Sequence, residues 1–253
     1  MKIGIIGAGN MARALVRGWG RPVVCADPVS ERAHALAAES GGEAVSSNAE
    51  VAERAELVVL CHKPAQLRQV AQQLSQARAI ASILAATPLE DLKDAYPDRP
   101  VYRFIPSLPV EVRQGAVVQA IDAPQDPQLD AQVRALFAEL GTLVPLDDGL
   151  VDAATGLMSC APAYVALVAE AQIDAGVRHG IPAAQGAALV VQTLAGTAEL
   201  LRARGYDTLA VRREVSSPGG LTARGVDALE RAGLRRAFSD ALDAVLGRSG
   251  GGR

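Results

Sequence analysis

The chain predicts an α/β fold: an N-terminal doubly wound, mostly parallel sheet, followed by an all-helical C-terminal domain. Three observations predict it. An apolar run ending at Ile6 passes directly into Gly7-Ala8-Gly9-Asn10-Met11-Ala12 and then into a helical pattern. Short apolar runs alternate with helix patterns as far as residue 146, the signature of βαβ units. From Asp148 onward only helical patterns follow. The expected division is therefore 1–146 and 147–253.

The first element carries the most chemistry. Gly-x-Gly-x-x-Ala between a strand and a helix is the fingerprint of a dinucleotide-binding, Rossmann-type unit. Gly7 allows the tight turn out of the strand. Gly9 lets the backbone approach a pyrophosphate without a Cβ between them. Ala12 lets the helix pack closely on the sheet. The amides of the loop and helix start, Gly7, Ala8, Gly9, Asn10 and Met11, are the candidate phosphate contacts. Asp27 lies twenty residues past Gly7, at the end of the strand Val23 to Ala26. A carboxylate there accepts from adenosine ribose hydroxyls and repels a 2′-phosphate, which favours NADH. It equally suits a cap for the turn at Pro28. Arg32 on the next helix offers a partner for a 2′-phosphate, so NADPH stays open.

Ser30 to Ser40 reads as an Ala-rich helix closed by Gly41-Gly42. Glu56 to Cys61 is the next buried strand. His62, Lys63 and Pro64 follow at its carboxyl end, where ligands bind in open α/β sheets. Pro64 suits a first helical turn. Ala79 to Ala85 predicts a strand, Pro88 to Ala95 a short helix, and Val101 to Phe104 a strand running into Ile105-Pro106-Ser107-Leu108-Pro109. Gly115 to Ile121 is a strand, Leu129 to Leu140 an amphipathic helix ended by Gly141, and Thr142 to Leu146 the closing strand. In the second half, helices are expected over Tyr164–His179, Ala183–Arg204, Leu209–Glu214, Gly225–Arg231 and Leu234–Leu246. Ser249 to Arg253 is expected to be disordered.

Composition excludes several classes. Of 253 residues, 49% are hydrophobic but only 3% aromatic, so Ala, Val and Leu fill the core. A net charge of −3 argues against nucleic acid or an anionic membrane as partner. Cys25, Cys61 and Cys160 are too few and too scattered for a disulfide framework, and His34, His62 and His179 are too isolated for a metal site. No signal peptide and no membrane span are expected, which leaves the cytoplasm as the simplest location. The helices within 162–202 are apolar almost all round, which predicts burial on several sides and hence a homodimer through this domain.

Longer motifs then carry a resemblance. Pro162-Ala163-Tyr164, Asp174-Ala175-Gly176-Val177, Gly180-Ile181-Pro182, Gln192 to Ala198 and Ser216-Ser217-Pro218-Gly219-Gly220-Leu221-Thr222 join Gly7-Ala8-Gly9-Asn10-Met11-Ala12 and Lys63-Pro64. Together the chain resembles the pyrroline-5-carboxylate reductases over essentially its whole length. The resemblance implies NADPH or NADH reducing 1-pyrroline-5-carboxylate to L-proline, at a site between the dinucleotide domain and a dimeric helical domain. It implies intertwined dimers that assemble further into decamers. Ser216, Ser217, Gly219, Gly220, Leu221 and Thr222 then form the substrate loop. Hydroxyls and helix-start amides suit a carboxylate. Thr222 matches the threonine placed near the ring nitrogen, with substrate orientation and proton relay as its implied roles. Departures from the pattern fall at Ser107 and Leu108, where the family has Asn and Thr, at Ser159-Cys160-Ala161 for Gly-Ser-Gly, and at Leu221 for the first of two threonines. They keep two alternatives open: a reductase of another cyclic imine or imino acid, and a catalytically weak, nucleotide-binding regulatory homologue.

Overall fold

A computed structural model describes residues 1–247, so the expected disordered tail at Ser249–Arg253 lies outside the described residues. The chain divides into two compact units, Met1–Pro162 and Ala163–Arg253.

The first unit begins with β1 (Ile3–Ile6), α1 (Asn10–Trp19), β2 (Val24–Ala26), α2 (Ser30–Ser40), β3 (Glu43–Ala44), α3 (Asn48–Arg54) and β4 (Leu57–Leu60). A 3₁₀ turn at Pro64–Gln66 leads into α4 (Leu67–Gln73), then β5 (Ile80–Ser82), α5 (Leu89–Ala95) and β6 (Val101–Pro106). β7 (Gly115–Ala120), α6 (Pro127–Ala138) and β8 (Gly141–Leu146) close the sheet, and α7 (Val151–Ala154) runs into a π-helical turn at Thr155–Ser159. The strands lie in the order β3-β2-β1-β4-β5-β6-β7-β8. Every neighbouring pair is parallel except β6 with β7.

The period-two alternation of strands explains the double winding. Ile3, Ile5, Leu57 and Val59 face a core shared with Leu15, Trp19, Leu36 and Phe137 from α1, α2 and α6. Their neighbours Ile6, Val58 and Leu60 face the opposite core with Val51, Val70 and Leu92 from α3, α4 and α5. Four of the eight aromatics, Trp19, Tyr102, Phe104 and Phe137, lie in the first layer. Phe137 stacks on Phe104 at 3.8 Å and meets Trp19 edge-on at 5.6 Å. The indole N–H donates to the Leu136 carbonyl.

Several boundaries differ from the sequence reading. β3 and α3 were not expected. Gly141 does not end α6: the helix stops at Ala138, and Gly141 opens β8 at φ +142°. A Cβ there would lie 2.0 Å from the Gly115 carbonyl oxygen, so the glycine serves strand pairing. The first unit also extends past the 146/147 division. Val151 and Ala154 pack against Ile105, Val118 and Ala120, which holds the segment after the sheet on β6 and β7.

The second unit holds α8 (Ala161–Arg178, its first two residues counted with the first unit), α9 (Ala183–Ala203), α10 (Thr208–Glu214), α11 (Leu221–Arg231) and α12 (Leu234–Val245). α8 and α9 form a hairpin. Gly180 takes the left-handed conformation (φ +89°) after α8, and the Ile181 amide returns to the Gly176 carbonyl. Gly186 of α9 faces Ile173 and Ile181, at a distance that would leave a methyl group in ordinary contact. α11 starts at Leu221, four residues before the expected Gly225.

The expected burial of α8 and α9 is not supplied by the chain itself. Val165, Leu167, Val177, Leu189 and Val191 are all exposed, and within α9 only Gly186 is buried. Exposed apolar surface on this scale marks an association face. The helical run Asp148–Arg178, with a mean hydropathy of 1.4 in its most apolar window, is also long and apolar enough by composition to cross a membrane. Its longest uncharged stretch, 153–169, is bounded by Asp152 and Glu170 and stays short of the roughly twenty residues of a span.

Candidate functional site

The carboxyl edge of β1 has the form of an anion cradle. Gly7 adopts φ +93°, and its amide donates to the Ala26 carbonyl at 2.8 Å. A Cβ on Gly7 would come within 2.9 Å of the Cys61 carbonyl and the His62 amide nitrogen, so the loop passes where only glycine fits. Gly9 precedes α1 in an extended conformation, and a Cβ there would meet no described atom within 4 Å. The first ladder bond of α1 runs from Arg13 N to Gly9 O. The amides of Asn10, Met11 and Ala12 are thus left over by the helix, with no acid in the first turn to take them. Free amides, a positive helix end and an open approach fit a dinucleotide pyrophosphate.

Asp27 caps the turn at Pro28, as its position suggests, and is also tied to the glycine loop. Oδ2 accepts from the Ala8 amide at 2.7 Å, and Oδ1 accepts from the Val29 amide at 2.8 Å, across the Pro28 turn. The carboxylate is thereby fixed beside the glycine loop, with lone pairs still free for hydroxyl donors. Arg32 is exposed in the first turn of α2.

The end of β4 lies against the same loop, with the Cys61 amide donating to the Ile6 carbonyl at 2.8 Å. His62 Nδ1 lies 2.9 Å from the Lys63 carbonyl oxygen, while Nε2 is buried with no partner among the described residues. Desolvation pushes the imidazole pKa down, against a smaller opposing effect of the Lys63 carbonyl. Lys63 is exposed, and the Gln66 side chain accepts from its amide ahead of the Pro64 turn.

At the end of β6, Ser107 is buried and committed to structure. Its Oγ accepts from the Ala116 amide, and its own amide donates to the Ala116 carbonyl, each at 2.9 Å. Leu108, next in sequence, is 47% exposed. Ser159 Oγ donates to the Pro106 carbonyl at 3.2 Å, so the π-helical turn lies against the same strand end. Cys160 follows it, half-buried.

In the second unit, Ser216–Thr222 forms a compact turn onto α11. The Gly220 amide donates to the Ser217 carbonyl at 3.0 Å, and Gly219 sits at φ +71°. The first ladder bond of α11 is Arg224 N to Gly220 O, which leaves the amides of Leu221, Thr222 and Ala223 free. Leu221 is 81% exposed and Thr222 is also exposed. Half-buried Ser216 borders a cleft of about 290 Å³ shared with Leu209, Arg213, Ala223 and Val226. This is a second set of free amides with adjacent hydroxyls, the donor set that a carboxylate needs.

One polar constellation escaped the sequence reading. Arg103, 1% exposed in the middle of β6, donates to Asp148 Oδ1 at 2.7 Å and Asp152 Oδ1 at 2.8 Å. Its only signal was an arginine inside the otherwise apolar run Val101–Ile105. A cleft of about 680 Å³ lies at the amino ends of β1 and β2, and its Arg54 is already paired with Glu43. It is remote from the glycine loop at their carboxyl ends.

Comparisons with known proteins agree over the whole length. A family model described as pyrroline-5-carboxylate reductase dimerisation matches residues 148–251. One described as NADP oxidoreductase coenzyme F420-dependent matches residues 2–86. A pyrroline-5-carboxylate reductase of Thermus thermophilus is 35% identical, over 98% of this chain and 97% of the relative. One from Synechocystis is 32% identical with the same coverage. The crystal structure of 1-pyrroline-5-carboxylate reductase from Streptococcus pyogenes superposes with a TM-score of 0.89 at 30% identity, covering 98% of this chain and 97% of that one.

Proposed function

The chain belongs to the pyrroline-5-carboxylate reductase family, and from that premise we propose which of its residues carry the reaction. It is an oxidoreductase that reduces 1-pyrroline-5-carboxylate to L-proline with NADPH or NADH. When bound, the nicotinamide supplies the hydride that adds to the C=N carbon, while the ring nitrogen takes a proton.

Gly9, Asn10 and Met11 hold the pyrophosphate through free amides of the loop and α1, while Gly7 and Ala8, whose amides are taken by the Ala26 carbonyl and by Asp27, shape the turn that presents them. Asp27 receives the adenosine ribose, and Arg32 stands ready for a 2′-phosphate. His62, Lys63 and Pro64 border the nicotinamide half. Ser216, Ser217, Gly219, Gly220, Leu221 and Thr222 bind the substrate carboxylate and ring, with Thr222 the catalytic residue. Its hydroxyl donates toward the ring nitrogen and passes a proton drawn from water, since a threonine hydroxyl is a weak acid by itself. The observation that carries this assignment is the set of free amides at Leu221–Ala223 directly behind Ser216 and Ser217. Residues 147–253 act as the substrate and association half.

The chain self-associates through its dimerisation domain. The apolar faces of α8 and α9 support a homodimer, with a second copy rather than a bilayer covering them. Further assembly to a decamer, and a cytoplasmic location without nucleic-acid or membrane partners, complete the reading.

The test is oxidation of NADH and NADPH by purified protein with pyrroline-5-carboxylate. Wild type turns over, and Thr222→Ala loses most of kcat while dinucleotide affinity is unchanged. Wild type without turnover, despite dinucleotide binding, would overturn the substrate assignment.

A further inference from the structure

The unpartnered nitrogen of His62 lies where chemistry is expected. A carbonyl oxygen only accepts, so the Nδ1 contact with the Lys63 carbonyl puts the ring proton on Nδ1. In the neutral ring Nε2 is then an acceptor with a free lone pair. It is shielded from solvent, with no donor among the described residues. A buried acceptor without a donor is costly, and native proteins leave few of them unless a water or ligand completes them.

The topology says which ligand group this is. β1 is flanked by β2 on one side and β4 on the other, and the chain order reverses there. Such a switch point is where open α/β sheets bind ligands. Gly7 abuts the amide nitrogen of His62, which ties the histidine to the pyrophosphate loop. Asp27 ends the β2 flank, and its remaining lone pairs suit the adenosine ribose. His62 ends the β4 flank, so it belongs with the other half of the dinucleotide. Phosphate oxygens are acceptors and cannot satisfy a second acceptor, whereas a ribose hydroxyl can donate.

We propose that His62 Nε2, covered in the free chain, is uncovered as the dinucleotide enters and accepts a hydrogen bond from a ribose hydroxyl on its nicotinamide side. The inference rests on the cofactor reading given above, and its test separates the two. Full-length wild type, His62→Phe, His62→Val and His62→Gln are titrated calorimetrically with ADP-ribose and with 5′-AMP. ADP-ribose carries the distal ribose, and AMP does not.

Phe keeps the ring without an acceptor, and Val is the second acceptor-free variant should Phe disturb the fold. Both are expected to weaken ADP-ribose about fivefold, the loss of one neutral hydrogen bond, and to leave AMP unchanged. Gln, whose side-chain oxygen still accepts, recovers most of the affinity. Wild-type affinity for ADP-ribose in a folded acceptor-free variant overturns the inference, as does equal weakening of AMP. Failure of wild type to bind either nucleotide overturns the cofactor reading and the inference with it.

Discussion

Arg103 and Asp148 form a buried-to-surface ion pair that joins the middle of β6 to the segment leaving the sheet. Asp148 Oδ1 takes the guanidinium at 2.7 Å, and its Oδ2 accepts from the Leu89 amide at the start of α5 at 2.9 Å. One carboxylate therefore ties together β6, α5 and the approach to α7. Asp152 completes the pair from the next turn. Arg103 is the buried member, so removing its partners strands a charge in the interior.

That asymmetry gives a ranked expectation. Asp148→Ala costs about 1.5–3 kcal/mol, the loss of a charge-assisted hydrogen bond, because Arg103 keeps its Asp152 partner. Asp152→Ala costs less, because Asp152 is half-exposed and caps nothing else. Urea unfolding at one fixed protein concentration measures both, since a self-associating chain has concentration-dependent stability. An Asp152 variant less stable than the Asp148 variant would refute the ranking.

Gly7 and Gly9 should separate folding from binding. Gly7→Ala must hold an alanine at φ +93°, at a cost of about 1–3 kcal/mol, against atoms 2.9 Å away. Its melting temperature falls. Gly9→Ala meets open space at φ −77° and melts like wild type. Its methyl group nevertheless projects toward the proposed pyrophosphate position. Dinucleotide affinity falls at least about tenfold, the equivalent of one charge-assisted hydrogen bond of about 1.5 kcal/mol. Unchanged dinucleotide binding in Gly9→Ala would place the phosphates elsewhere.

These contrasts also show what the sequence could reveal. The glycine loop, Asp27 and most helices were legible because their signals are local: a turn that needs glycine, or apolar residues at helical spacing. β3 was hidden because two residues, Glu43 and Ala44, carry no period. α3 did have a signal, since Ser47 accepts from the Glu50 amide as a helix cap, yet Glu53-Arg54 left only a short apolar face. Gly141 misled because a glycine after a helix usually ends it, whereas here the constraint is the Gly115 backbone, 26 residues away in the chain. Ser107 is read correctly only once its β7 partner is known. Its partner is remote in the sense that matters: nothing in the local pattern announces it.

Asp27 should set the balance between the two nicotinamide cofactors. A carboxylate about 5 Å from a phosphate charge interacts by ~3 kcal/mol at an effective dielectric of ~20. Asp27→Asn removes that repulsion. The ratio of kcat/KM for NADPH to that for NADH is expected to rise at least about tenfold, or about 1.4 kcal/mol. The amide keeps only one acceptor for the Ala8 and Val29 donors, so activity with NADH falls as well. The ratio is therefore the informative quantity, and an unchanged ratio would remove Asp27 from cofactor selection.

The apolar helices predict how assembly fails. Leu167 on α8 and Leu189 on α9 are each more than 60% exposed in the single chain. Leu167→Asp and Leu189→Asp put a charge where a second copy is expected to bury a leucine. Light scattering should show a smaller species than wild type at the same concentration. Each variant should express as a folded chain, because both leucines are mostly exposed in the single chain. A wild-type mass for both variants would move the interface elsewhere.

The cysteines provide a chemical readout of the fold. Only the thiolate is alkylated, so reactivity follows exposure and pKa together. Burial raises the Cys25 thiol to about 11, and Cys25 is inaccessible within the core beneath α2. At pH 8 that leaves about a thousandth ionised, against about a tenth for an ordinary value of 9. Burial raises the Cys61 thiol as well. Cys160 is half-buried at the π-helical turn. Iodoacetamide at pH 8 should therefore modify Cys160 first, the also half-buried Cys61 more slowly because less of its thiol ionises, and Cys25 only after denaturation. Raising the pH from 8 to 10 increases the ionised share of Cys25 about a hundredfold, by simple titration below its pKa. Its labelling should still wait for opening of the core, because the ionised thiol remains enclosed. Peptide mapping by mass spectrometry reads all three sites at once. Native Cys25 that labels as fast as Cys160 would contradict the packing of β2 against α2.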